Sequence, residues 1–174
     1  PQGEPSGGNQ ALQAVRRHFE ELIDARDIRN GGLRLQSTIR VDIQKALEKE
    51  AASLVQKIPG TPEVAAISID NKTGGIRGIV GGKSPGNTSF NRALDARRDL
   101  GDVFTPFIYV AAAERGIEPR AGQPVTIGRK IGTEDLIRLT ERLGFKGPFL
   151  RGDDLYRGGL SATPLEVAAA AATL

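Results

Sequence analysis

Cysteine is absent from this 174-residue chain, which excludes disulfides, thiol catalysis and thiolate metal sites. Histidine occurs once, as His18 in a polar helical stretch, so neither a Ser-His-Asp nor a Cys-His arrangement can be assembled. His18 is expected on the surface. Aromatic residues make up 5%, too few for a stacking platform, and the net charge of +3 comes from Lys and Arg interleaved with Asp and Glu. No nucleic-acid partner is expected. Long hydrophobic runs are missing too. The longest, Phe107 to Ala113 and Val167 to Ala172, fall far short of the ~20 residues that span a bilayer, so nothing here is expected to cross a membrane by itself. Residues 1–10 (PQGEPSGGNQ) lack the basic start and apolar centre of a signal peptide and are expected to be a flexible linker within a longer polypeptide.

What the chain does have is a 39% hydrophobic content, sufficient for one globular domain with a core and an appended segment. After the linker, residues 11–40 read as a helix and a strand leading into the domain. Leu12, Val15, Phe19, Leu22 and Ile23 recur at helical spacing until Asn30-Gly31-Gly32, and Leu33 to Ile39 alternates like a half-buried strand. The domain itself is expected over 41–174. Ile43, Leu47, Ala51, Leu54 and Val55 share one face of a helix that Pro59-Gly60 ends. Val64 to Ile69 and Ile76 to Val80 are β-prone runs joined by a glycine-bearing turn, an antiparallel hairpin. Val103 to Arg115 predicts a strongly apolar helix at the buried centre. Thr133 is expected to cap a helix over 134–143 that Gly144 ends, and Thr163-Pro164-Leu165-Glu166 is a capping box opening a final alanine-rich helix.

Four landmarks stand in a fixed order. Gly32 to Ile39 with Ile43-Gln44 comes first, then Val64 to Gly82. Phe90-Asn91-Arg92-Ala93 follows, and Gly159 to Glu166 (GLSATPLE) comes last. Between the third and fourth, Arg97 to Tyr109 reads RRDLGDVFTPFIY. This set resembles the transpeptidase domain of class A, bifunctional penicillin-binding proteins, whose active-site segment reads approximately R-x-x-G-S-x-x-K-P-F-x-Y. The resemblance implies a mixed α/β fold of the penicillin-binding-protein/β-lactamase-like type, an antiparallel sheet flanked by helices, present here in incomplete form. It also implies an extracytoplasmic location, with the membrane reached only through an anchor of the parent protein. Its implied partners are peptidoglycan or cell-wall synthesis proteins, together with an upstream glycosyltransferase domain. No cofactor is implied.

The departures concern chemistry. Asp102 stands where the family has its serine nucleophile and Thr105 where it has the lysine that manages the proton, while Arg98, Gly101, Pro106, Phe107 and Tyr109 keep the frame. Acyl transfer of this kind needs an alcohol and an amine three residues apart on one helix face. None of Ser6, Ser37, Ser53, Ser68, Ser84, Ser89 and Ser161 has lysine at i+3. No catalytic residue is therefore expected, and Asp102 is expected to act as a helix cap. The alternative is an active acyl-transfer enzyme with an unconventional or missing nucleophile. The chain is too short after Gly116 for the segment that carries the family's S-x-N, and no strand follows for its K-T-G. Ser89-Phe90-Asn91 and Lys72-Thr73-Gly74 spell those triplets in the wrong places. No metal site is expected either: Asp95, Asp99, Asp102, Asp153 and Asp154 lie among arginines, and ion pairing is the reading for them.

Overall fold

The computed structural model describes residues 9–60, 63–82, 90–119 and 123–174, arranged in two compact units, Pro1–Ala96 and Arg97–Leu174. Most of the expected linker, residues 1–8, lies outside the described residues, and its last two positions already open the first helix.

In the first unit, the single helix expected before Asn30-Gly31-Gly32 is two helices, α1 (Asn9–Leu22) and α2 (Ala25–Asn30). The break falls at Asp24, whose carboxylate accepts the Arg26 N–H at 2.7 Å and starts the second helix. The strand expected at Leu33 to Ile39 does not form. Leu33 and Leu35 are half-exposed, and only the end of the segment meets other backbone: Arg40 N–H donates to Arg77 O at 2.9 Å, and Thr38 Oγ1 to Ile76 O at 2.8 Å. Alternation alone makes no strand without a neighbour to bond.

Next come α3 (Val41–Lys57) and the expected hairpin, β1 (Ala66–Ile69) paired antiparallel with β2 (Ile76–Val80). Asp70 organises the turn. Its carboxylate accepts Lys72 and Thr73 N–H, its carbonyl accepts Gly74 N–H at 2.8 Å, and Gly74 takes the φ of 69° that favours glycine. Lys72-Thr73-Gly74 thus belongs to this turn. A four-residue helix, α4 (Arg92–Asp95), closes the unit, capped by Asn91 through the Ala93 N–H.

The outer edge of β2, away from β1, is sealed without a third strand. Residues 77, 79 and 81 point their backbone groups the same way. Arg77 O takes Arg40 N–H, Ile79 gives its N–H to Gln44 Oε1 at 2.8 Å, and Ile79 O receives Gln44 Nε2 at 2.9 Å. Gly81 N–H goes to Gln10 Oε1, and Gly81 O receives Arg92 N–H. One side-chain amide so imitates both bonds of a pairing strand. This explains a departure from the expected face of α3: Gln44 is only 2% exposed, whereas Leu54 is 45% exposed. Ile79 with Ala11 and Ala93 forms the unit's small core.

The second unit is built around α5 (Thr105–Glu114), which a 3-10 turn (Gly101–Phe104) precedes and whose Phe107, Ile108, Ala111 and Ala112 are buried as expected. Around it lie α6 (Pro124–Ile131), α7 (Thr133–Arg142), α8 (Asp153–Tyr156) and α9 (Pro164–Ala172), with a two-residue antiparallel pair, β3 (Arg98–Asp99) and β4 (Ser161–Ala162). Phe104, Phe107 and Phe145 pack as an aromatic triad with ring centroids 5.3 to 6.5 Å apart.

Helix α6 is not legible in its β-branched, glycine-containing sequence. Tyr156 presses so closely on Gly128 that a Cβ there would sit 2.5 Å from the ring. Thr133 does not cap α7: the N-cap position is Gly132, and Thr133 Oγ1 instead bonds the Tyr156 hydroxyl at 2.8 Å. A buried phenol requires a partner, and Thr133 supplies it. The capping box at Thr163 and Glu166 forms as expected. Small antiparallel sheets flanked by helices make a mixed α/β fold.

Two outcomes follow from this packing. Replacing Gln44 with leucine strands the buried Ile79 N–H and C=O, and urea unfolding should show a loss of about 2–4 kcal/mol with faster exchange of the Ile79 amide. A loss under about 0.5 kcal/mol would contradict the sealed edge. Arg77, and then the Lys72 N–H, hold the Asp70 carboxyl below its ordinary value of 3.8. A depressed carboxyl stabilises the fold above that value, and the contribution is lost as pH falls through the folded-state value. Asp70→Asn should therefore flatten the acid limb of a stability-versus-pH curve while leaving its slope near neutrality unchanged.

Candidate functional site

The segment with the active-site resemblance is fastened before α5 begins. Arg97 Nη1 reaches both carboxylate oxygens of Glu166, at 3.0 and 2.9 Å, and its Nη2 donates to the carbonyls of Gly147 at 3.2 Å and Ser161 at 2.6 Å. Glu166 is also the acid of the capping box, accepting Thr163 N–H at 2.8 Å, so one carboxylate joins the start of α9 to the start of β3. Past the β3–β4 pair, Leu100 N–H donates to Leu160 O and Gly101 N–H to Gly158 O at 3.1 Å. Gly158 has φ 82°, and a Cβ there would collide with the Gly101 carbonyl. Backbone approaches that closely only at glycine.

From this anchored start the 3-10 turn carries Asp102 and Val103 outward and Phe104 inward: Asp102 and Val103 are exposed and Phe104 is fully buried. The expected cap is not made. The N-cap positions are Leu100 for the 3-10 turn and Phe104 for α5, neither with a side-chain bond, and the Asp102 carboxylate takes no hydrogen bond or ion pair among the described residues. The 3-10 turn inserted between Gly101 and α5 is the reason. It moves the first free N–H groups of α5 beyond Asp102, whose own carbonyl accepts Thr105 N–H. What remains for Asp102 is the weak attraction of a carboxylate for a helix N-terminus, about 0.3–1 kcal/mol.

Thr105, the first residue of α5, is partly buried and makes no side-chain hydrogen bond among the described residues. The lysines of this unit, Lys130 and Lys146, are exposed, and neither bonds to residues 101–105. Positions 102 and 105 thus carry a carboxylate and a hydroxyl, with no hydrogen-bonded base between them. Pro106 sits in the first turn of α5, and Tyr109 packs against the core.

Of the other aspartates for which ion pairing is the reading, Asp95 pairs with Arg17 at 2.5 Å and Asp153 with Arg129, which holds its carboxyl below the ordinary range. Asp99 accepts the Ser161 hydroxyl instead, and Asp154 makes no ion pair among the described residues. Among the described residues, no group of three or more His, Cys, Asp or Glu side chains could hold a metal ion. His18 is largely exposed beside Glu21. Of the S-x-N look-alike, Ser89 lies outside the described residues, and Asn91 is buried with its Oδ1 committed to capping α4. The clasp around Arg97 was not foreseen. The capping box marks Glu166, but no local pattern pairs it with a residue 69 positions earlier.

No family model matches the chain. Penicillin-binding protein 1B of Vibrio cholerae serotype O1 is 32% identical over 105 residues, which are 58% of this chain and 14% of that protein. Penicillin-binding protein 1A of Pseudomonas aeruginosa is 50% identical over 52 residues, 30% of this chain and 6% of that protein. The chain thus spans only a small part of the length of the curated relatives it matches. Among solved structures, the PonA1 protein from Mycobacterium tuberculosis in complex with penicillin V is similar over 96% of this chain and 58% of its own, with a TM-score of 0.73 at 21% identity. That likeness is one of fold.

The anchoring of the 98–104 segment has a direct test. Gly158→Ala should lower stability by about 3 kcal/mol or more through the clash with Gly101, measured by denaturant unfolding. Arg97→Met should cost about 2–4 kcal/mol, because it leaves the Glu166 carboxylate largely buried without its cation. Unfolding midpoints unchanged in both variants would remove the clasp from the account.

Proposed function

From a chain whose homologues are class A penicillin-binding proteins and whose fold is that of penicillin-binding-protein transpeptidase domains, we propose a transpeptidase-like domain of the peptidoglycan synthesis machinery that performs no acyl transfer. Its role in this proposal is that of a scaffold, a regulator or a non-covalent binder of peptidoglycan or of another wall-synthesis protein. The observation that supports it is the pairing of a retained frame with vacated chemistry. Arg97, Gly101, Gly158 and the buried face of α5 hold the segment in place, while in this reading Asp102 and Thr105 stand where the resemblance puts nucleophile and base. A serine–lysine pair exchanges one proton within the helix face before attack; a carboxylate and a hydroxyl have no such exchange.

Such a domain would lie on the extracytoplasmic side, joined to the membrane through an anchor of its parent protein and accompanied by a glycosyltransferase domain upstream. This part of the proposal rests on the resemblance to class A penicillin-binding proteins, and the similarity to penicillin-binding proteins 1A and 1B supports it. Among the described residues no helix is long and apolar enough to cross a membrane.

One observation favours a second reading, in which the chain does react. The Asp102 carboxylate is exposed and unengaged rather than tied up as a cap. Attack by it on a β-lactam carbonyl would break the ring C–N bond, the nitrogen taking a proton from water, and give a mixed anhydride that water hydrolyses readily, so turnover rather than a lasting adduct would mark this reaction.

Incubation of the protein with excess benzylpenicillin, followed by intact-mass measurement and an assay of β-lactam consumption, should show no added mass and no consumption above buffer. Thr105→Lys alone should behave identically, since a lysine without an alcohol three residues earlier has no proton to accept. An adduct or turnover that Asp102→Ala abolishes would overturn the proposal and establish the second reading. One that persists in Asp102→Ala would assign the reaction to another residue.

A further inference from the structure

We draw no further inference here: the strongest candidate, the outer edge of β1 (Ala66–Ile69), which has no strand neighbour among the described residues while the outer edge of β2 is sealed by Gln44, Gln10, Arg40 and Arg92, carries nothing because nothing in the structure shows what covers it.

Discussion

Four hydrogen bonds from one guanidinium organise the second unit. Arg97 holds both oxygens of Glu166 and the carbonyls of Gly147 and Ser161, so three stretches far apart in sequence meet at a single planar donor. Arginine suits the task because its planar guanidinium carries five donors, so Nη1 serves both carboxylate oxygens while Nη2 remains for the two carbonyls. Glu166 is mostly buried and also receives the Thr163 N–H, so removing the cation would leave a shielded charge without its counterion. The β3–β4 pair, the Gly101–Gly158 approach and the start of α5 all follow within a few residues of this clasp.

That arrangement separates folding from chemistry. The residues of α5 that stabilise the unit are Phe107, Ile108, Ala111 and Ala112, facing a core that includes Phe104 and Phe145. Asp102 lies on the solvent side and Thr105 at the margin. The aromatic packing and the clasp involve neither the Asp102 nor the Thr105 side chain. The packing that holds the fold is thus separate from the residues at 102 and 105, which is why similarity of fold leaves activity open.

The first unit solves a different problem. A hairpin alone is marginal in water, and each exposed strand edge offers unpaired backbone groups. On the β2 side the edge is closed by side chains rather than by a strand, and the buried amide of Gln44 carries both bonds of Ile79. A polar residue on the inner face of α3 would count as a fault in a helix packed against apolar surface. Here it is what permits the sheet to end.

Much of the local structure was legible in the chain, and most of the exceptions share a cause. The hairpin, its turn, the apolar α5 and the Thr163–Glu166 capping box rest on interactions within a few residues. The unmade cap at Asp102 follows from the local 3-10 turn, whereas the failed strand at 33–39, the unexpected α6, the diverted Thr133 and the burial of Gln44 each depend on their tertiary setting. For three of them the decisive partner is distant in sequence: Tyr156 for Gly128, Tyr156 for Thr133, and Ile79 for Gln44. Sequence by itself determined which residue types stand at 102 and 105 and that no serine has lysine at i+3, because identity and spacing are properties of the chain. Only the tertiary structure decided which of those residues are held, buried or left free, because hydrogen bonds and burial are settled by groups that the chain brings together from afar.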